Sequence, residues 1–212
     1  MTLKSKESLN KLICLASMVL VNLQEENTGP YFPYFDFLYR FSFVDVNAQP
    51  PVCRIMYPCQ GIANDDALGL FSLGHVDLLK SEGGLSILKR ARFYDKFSRV
   101  LFGEDVAAVR KFKWAVSQIL SRAVSSSQYS WPMTFLPLID FCNHSFAPNA
   151  ALDYDSQSHE YCLTSLRDIN ENEELLIDYG NSKTNLELFN TYAFCVFGNK
   201  NEVIICQSLA NP

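Results

Sequence analysis

A cysteine, a histidine, a tyrosine and four carboxylates fall into two short stretches of this 212-residue chain. The first is Asp140-Phe141-Cys142-Asn143-His144-Ser145, which closes the apolar run Phe135 to Cys142 on a polar turn. The second is Glu173-Glu174-Leu175-Leu176-Ile177-Asp178-Tyr179-Gly180, an acidic turn feeding a short apolar strand that ends in Asp-Tyr-Gly. Cys142 and His144 are two apart, so in an extended strand they share a face. A nucleophile and its base must also meet with a free trajectory, and no oxyanion donor or orienting third group stands out beside them. Asn143-His144-Ser145 matches the N-x-S glycosylation acceptor, which matters only in an exported chain; it also reads as a plain turn. Taken singly, Tyr179 is an ordinary strand aromatic and Tyr192 an ordinary packing residue. Arg122 is likewise an ordinary cation stabilised by the dipole at a helix C-terminus.

Metal chemistry has little support. The seven cysteines (Cys14, Cys53, Cys59, Cys142, Cys162, Cys195 and Cys206) are odd in number, scattered, and contain no C-x-x-C pair. A zinc site needs four converging soft ligands, usually as close-spaced pairs; buried free thiols in a reducing compartment fit better. A chain 48% hydrophobic and 13% aromatic folds around a real core. A net charge of -5 argues against nucleic acid as the main partner. It is compatible with a basic, lysine-bearing substrate, and equally with an ordinary soluble protein.

The elements that must position these residues divide into two textures. Leu9, Leu12, Ile13, Ala16, Val19, Leu20 and Leu23 follow helical spacing, with Ser5 or Ser8 placed to cap. Lys4, Lys6 and Lys11 before an uncharged run also suggest a targeting signal. The run is too short to span a bilayer, is interrupted by Ser17 and Asn22, and lacks an A-x-A site, which favours a core helix. Thr28 to Tyr34 is a turn-rich aromatic segment that cannot continue a helix. Residues 41–60, with Pro50, Pro51 and Pro58, read as loop. Asp65-Asp66 can cap a short helix, Leu70 to Leu79 continues in mixed pattern, and Gly83-Gly84 breaks it. Helices are expected from Leu85 to Val100 and from Asp105 to Val124, the second with Val106, Val109, Phe112, Val116, Ile119, Leu120 and Ala123 on one face. Ser125-Ser126-Ser127 reads as a flexible link. From Trp131 onward, Phe135 to Cys142, Ala150 to Tyr154, Glu160 to Ser165 and Leu175 to Tyr179 read as short strands, with a helix again from Asn185 to Phe194.

Read together, the order Asn143-His144-Ser145 then Asp178-Tyr179-Gly180 resembles the two C-terminal signature motifs of SET-domain protein methyltransferases. Pro137-Leu138-Ile139-Asp140, Ser121-Arg122 upstream, Gly-Pro-Tyr-Phe-Pro-Tyr-Phe-Asp from Gly29, and Leu186 to Phe194 resemble the Rubisco large-subunit methyltransferase branch. The resemblance is tight over 114–198 and looser before. It implies an α+β SET-type fold of short strands split by a helical insert. The expected organisation is 1–60 as the N-terminal part of the SET region, 61–130 as the insert and 131–180 as the C-terminal core. Residues 181–212 are the C-terminal helix and the start of a following region. It further implies methyl transfer from S-adenosyl-L-methionine to a protein lysine, without a metal. The runners-up are methylation of a histidine and an inactive protein-binding module. By the same resemblance, Tyr179 is the catalytic tyrosine, and Asn143 and His144 hold the cofactor, largely through backbone groups. Arg122 reaches the cofactor carboxylate, Asp140 lies on the substrate side, and Tyr192 lines the lysine channel.

The chain departs from the family in one respect. SET proteins open with a strand carrying a Gly-x-Gly turn against the cofactor, where glycine lets backbone approach ligand. No G-x-G occurs here, and the helical substrate-binding domain of the branch is not expected within these 212 residues. The expectation is a fragment or a chain that has lost cofactor binding, so that these 212 residues bind S-adenosyl-L-methionine weakly or not at all, whereas a full-length parent binds it. Its expected partner is a lysine-bearing protein, without nucleic acid or membrane, and its expected state is a monomer in cytoplasm, nucleus or, after a transit peptide, plastid.

Overall fold

The computed structural model describes residues 3–24, 29–41, 82–124, 133–192 and 194–202. Helix α1 spans Leu3–Asn22. Leu12, Ala16 and Val19 recur at helical spacing and are buried, with Leu15, Leu20 and Leu23 packed beside them. Ser5 and Ser8 were expected to cap this helix; instead they lie inside it, since no Gly or Pro between Leu3 and Ser8 stops the helix from starting earlier. After a turn at Gly29-Pro30-Tyr31, helix α2 runs over Phe32–Phe41. The segment expected only as a turn therefore also starts a helix. Pro33 is its second residue, within the first turn, where a missing N–H costs no intrahelical bond. Phe35 and Leu38 of α2 are buried.

Helix α3 covers Glu82–Phe102 and helix α4 Val106–Arg122. Gly83-Gly84 stand in the first turn of α3, where backbone N–H groups lack helical partners in any case. Gly103, at φ 60°, ends α3, its N–H donating to the Arg99 carbonyl at 2.8 Å. Asp105 caps α4, its Oδ1 accepting from the Ala108 N–H at 3.0 Å. The expected face of α4 is buried at Val109, Phe112, Val116 and Ile119, although Val106 is exposed. Trp114, Ala115, Ser117 and Gln118 on the other faces are buried as well, because α4 packs against α1, α3 and a C-terminal helix, α5 (Asn185–Tyr192). The outcome is a helical core built on Phe35, Leu38, Phe112, Trp114, Val116 and Ile119.

The C-terminal part is β-structured in short pieces. Phe135 to Cys142, expected as a strand, is not one. Thr134 makes a single antiparallel bridge to Val124; the chain then turns at Pro137-Leu138 and forms one turn of 3-10 helix over Ile139–Phe141. Pro137 has no N–H for a ladder, and Leu138 sits at φ 75°, which no regular strand accommodates. Asn143–His144, expected as a turn, is strand β1. Ala150–Asp155 (β2) and Glu160–Ser165 (β3) form an antiparallel hairpin. Leu176–Ile177 (β4) pairs in parallel with β1, Asn143 opposite Leu176 and His144 opposite Ile177. A small second core of Cys142, Ala150 and Ile177 lies between these pieces. The architecture is α+β, as expected. Residues 42–60, Asp65-Asp66, Leu70 to Leu79 and Ser125 to Ser127 lie outside the described residues.

Candidate active site

A cleft of about 280 Å³ opens on the seam between the helical and strand-built parts. Ser121 and Arg122 reach it from the end of α4, Asp140 and Cys142 from the 3-10 turn, Asp178 and Tyr179 from the segment after β4, and Tyr192 from the end of α5. Elements far apart in sequence thus deliver their last residues to one place.

Tyr179 donates its hydroxyl to the Cys142 carbonyl at 2.6 Å. Burial pushes its phenol up to about 12, so at neutral pH it remains a protonated donor. Its ring lies 4.6 Å from the Tyr192 ring, centre to centre, and Phe194 completes the group at 6.3 Å from Tyr179. Such faces suit a cation.

Arg122 and Asp140 form a buried ion pair. Arg122 Nη1 donates to Asp140 Oδ2 at 3.0 Å and to the Asp140 carbonyl at 3.1 Å, while its Nε donates to Gln118 Oε1 at 3.0 Å. Tyr34, from α2, donates to the same Asp140 Oδ2 at 2.7 Å. Burial pushes the Asp140 carboxyl up, against the pull of the Tyr34 hydroxyl and the Arg122 guanidinium. Asp140 Oδ1 and Gln118 Nε2 are buried without a hydrogen-bond partner among the described residues.

His144 has its side chain fully buried, and Phe146 and Tyr179 flank its ring. Its Nδ1 accepts the Tyr179 N–H at 3.1 Å. Burial lowers the imidazole pKa, so the ring is neutral with its proton on Nε2. Asp178 Oδ1, 3.9 Å from Nδ1, therefore faces an acceptor and makes no ion pair. This disposes of the Cys142–His144 dyad. The basic nitrogen of His144 is already engaged, and burial pushes the Cys142 thiol up, away from the thiolate a nucleophile needs.

Of the residues singled out in the sequence, the cleft brings together Arg122, Asp140, Tyr179 and Tyr192. His144 stands behind Tyr179. Asn143 is exposed, outside the cleft wall, with its Nδ2 donating to Glu174 Oε1 at 2.5 Å. Three residues that matter here escaped the sequence reading. Tyr34 and Gln118 hold the Arg122–Asp140 pair, and no sequence signal joins positions 106 residues apart. Asn149, 1% exposed, links β4 to the Glu173-Glu174 turn: it accepts from the Leu176 N–H at 2.8 Å and donates to the Glu174 carbonyl at 2.8 Å and Glu173 Oε1 at 3.1 Å. Among the described residues no group of three or more His, Cys, Asp or Glu side chains could hold a metal ion, and no helix is long and apolar enough to cross a membrane.

The chain is similar to known proteins. The SET domain family model matches residues 7–180, most of the chain and both halves of the seam. SET domain-containing protein 8 of Schizosaccharomyces pombe (strain 972 / ATCC 24843) is 40% identical over 58 residues, 27% of this chain and 13% of that protein. The chain thus spans a small fraction of that relative's length. With the family model covering more than half of it, the chain belongs to the SET domain family, whose members are generally protein methyltransferases.

Proposed function

We propose that the chain is an S-adenosyl-L-methionine-dependent protein-lysine N-methyltransferase of the Rubisco large-subunit methyltransferase-like branch. The observation that carries this reading is the Tyr179 hydroxyl, protonated and fixed at the wall of a cleft beside Tyr192 and Phe194. A positively charged sulfonium suits a cleft with aromatic faces and two carboxylates, Asp140 and Asp178. Of the cleft-lining residues, Asp140 keeps its buried Oδ1 without a hydrogen-bond partner among the described residues, an acceptor left over for a polar ligand.

When bound, the cofactor supplies a methyl group for in-line displacement by an amine. Asn143 and His144 would hold it through the backbone of β1, whose ladder to β4 occupies one edge of the strand. Arg122, braced by Gln118 and Asp140, presents its guanidinium to a carboxylate. The chain's main contribution is orientation, since the displacement is a positioning problem. Tyr179 offers its hydroxyl oxygen to the incoming amine while its own O–H goes on donating to the Cys142 carbonyl. Tyr192 stacks beside the aliphatic stem of a lysine that enters as the neutral amine, its proton lost to solvent, and Asp140 borders the substrate side of the cleft.

The test is transfer of labelled methyl groups from S-adenosyl-L-methionine to proteins of a cell extract, followed by hydrolysis and amino-acid analysis. Label in methyl-lysine is expected. Label in methyl-histidine alone, or no label in any protein, contradicts the assignment.

A further inference from the structure

The Tyr179 hydroxyl is held by one carbonyl, that of Cys142, so whatever fixes this carbonyl fixes the hydroxyl. Cys142 follows the Ile139–Phe141 turn, its N–H donating to the Ile139 carbonyl at 3.1 Å. A single 3-10 turn has poor intrinsic stability, and this one begins after Leu138 at φ 75°, a conformation costly for a residue with a branched side chain. Beyond its own backbone bonds the turn is anchored from two sides: Cys142 packs with Ala150 and Ile177 just ahead of the β1–β4 pairing, and Asp140 is gripped by side chains of the helical half. Tyr34 grips the carboxylate from α2; Arg122 grips the carboxylate and the backbone carbonyl from α4, and lies over the Phe141 ring at 5.5 Å. The Tyr34 ring in turn packs against Phe35, Phe135 and Phe141, so its own position is set by the helical core.

We infer that Tyr34 is a positioning residue: through Asp140 and the Ile139–Phe141 turn it sets the Cys142 carbonyl and hence the direction of the Tyr179 hydroxyl. Tyr34 does not line the cleft and acts only through this chain of contacts. Its function in methyl transfer rests on the reading of Tyr179 given above; its mechanical effect on Tyr179 does not.

The experiment is the Tyr34→Phe variant of the full chain, labelled with carbon-13 at the tyrosine ring carbon bearing the hydroxyl. The Tyr179 resonance should move from its wild-type position at neutral pH. Tyr161, in the β2–β3 hairpin against Tyr154, should not move. Loss of stability alone, measured well below the unfolding temperature, would leave both in place. Turnover in the methyl-transfer assay should fall severalfold with cofactor affinity unchanged. An unmoved Tyr179 signal in a folded Tyr34→Phe chain overturns the inference. Should that chain fail to fold, Arg122→Lys attacks the same carboxylate from the other side, keeping charge but losing the two-pronged grip, and must move the Tyr179 signal too. Loss of the fold in both variants also overturns the inference, because the network would then hold the domain rather than aim the hydroxyl. The spectrum needs no substrate. A shifted signal without methyl transfer by wild type sinks the functional reading alone, whereas an unshifted one with active wild type sinks only this inference.

Discussion

The two halves of the seam are held together by different physics. In the helical half, rings and branched aliphatic side chains interlock: Trp114 is fully buried with Tyr39 edge-on at 5.1 Å, and Phe112 sits among Phe97 and Phe102. In the strand half, the buried apolar cluster is Cys142, Ala150 and Ile177, and the strands β1 and β4 are two residues long. Hydrogen bonds from Asn149, Glu173 and the Arg122–Asp140 pair make up the difference. Apolar packing is non-directional and spread over many contacts; a polar network is directional and fails when one partner goes. A site that must aim a hydroxyl group is better built on the second kind, backed by the first.

The contrast is open to test by substitution. The largest effect is expected in the helical core, where Trp114→Ala should lower unfolding free energy by about 3–5 kcal/mol, read by denaturant titration. A cost below that of ordinary surface changes would mean the ring core is not what supports the fold. Arg122→Ala should cost about 3 kcal/mol, because it leaves the Asp140 carboxylate buried with only the Tyr34 hydroxyl; a negligible change would demote the pair to decoration. Asn149→Ala should cost about 1–3 kcal/mol, the range for stranding buried polar partners, despite removing no large apolar group. If it is neutral, the polar account of the strand half fails.

A smaller effect is expected from pH. Arg167, the Asn170 N–H and Asn149 hold the Glu173 carboxyl down at about 2, below its ordinary 4.5. A depressed carboxylate stabilises the folded state above its unfolded value, and that contribution is lost as pH falls through the folded one. The thermal unfolding difference between wild type and Glu173→Gln should therefore be constant above 4.5 and shrink toward zero as pH approaches about 2. A difference that grows on acidification would reverse the sign of the argument.

How much of this could be seen in the sequence follows the same division. Helical periodicity revealed α1, α3 and α4, since burial on one face leaves a regular spacing. It did not show that α4 is enclosed all round from Phe112 to Ile119, as Lys113 and Gln118 are polar yet buried; tertiary partners decide that. α2 was hidden by Pro33, whose place in a first turn is invisible until the helix start is known. Apolar content made Phe135 to Cys142 look like a strand, and the positive φ of Leu138 that redirects it leaves no mark in composition. Tyr179, Tyr192, Arg122 and Asp140 were picked out by motif resemblance and do meet in one cleft. Tyr34 and Asn149 act through long-range hydrogen bonds, for which local sequence carries no pattern.

Tyr179→Phe removes one oxygen and keeps the ring among Tyr192, Phe194 and His144, so unfolding free energy should change little. Steady-state methyl transfer by wild type and variant is the direct measurement. The expected result is a turnover at least about tenfold lower, equivalent to about 1.4 kcal/mol of transition-state stabilisation, with cofactor affinity nearly unchanged. A variant that matches wild-type turnover would contradict the catalytic assignment of Tyr179.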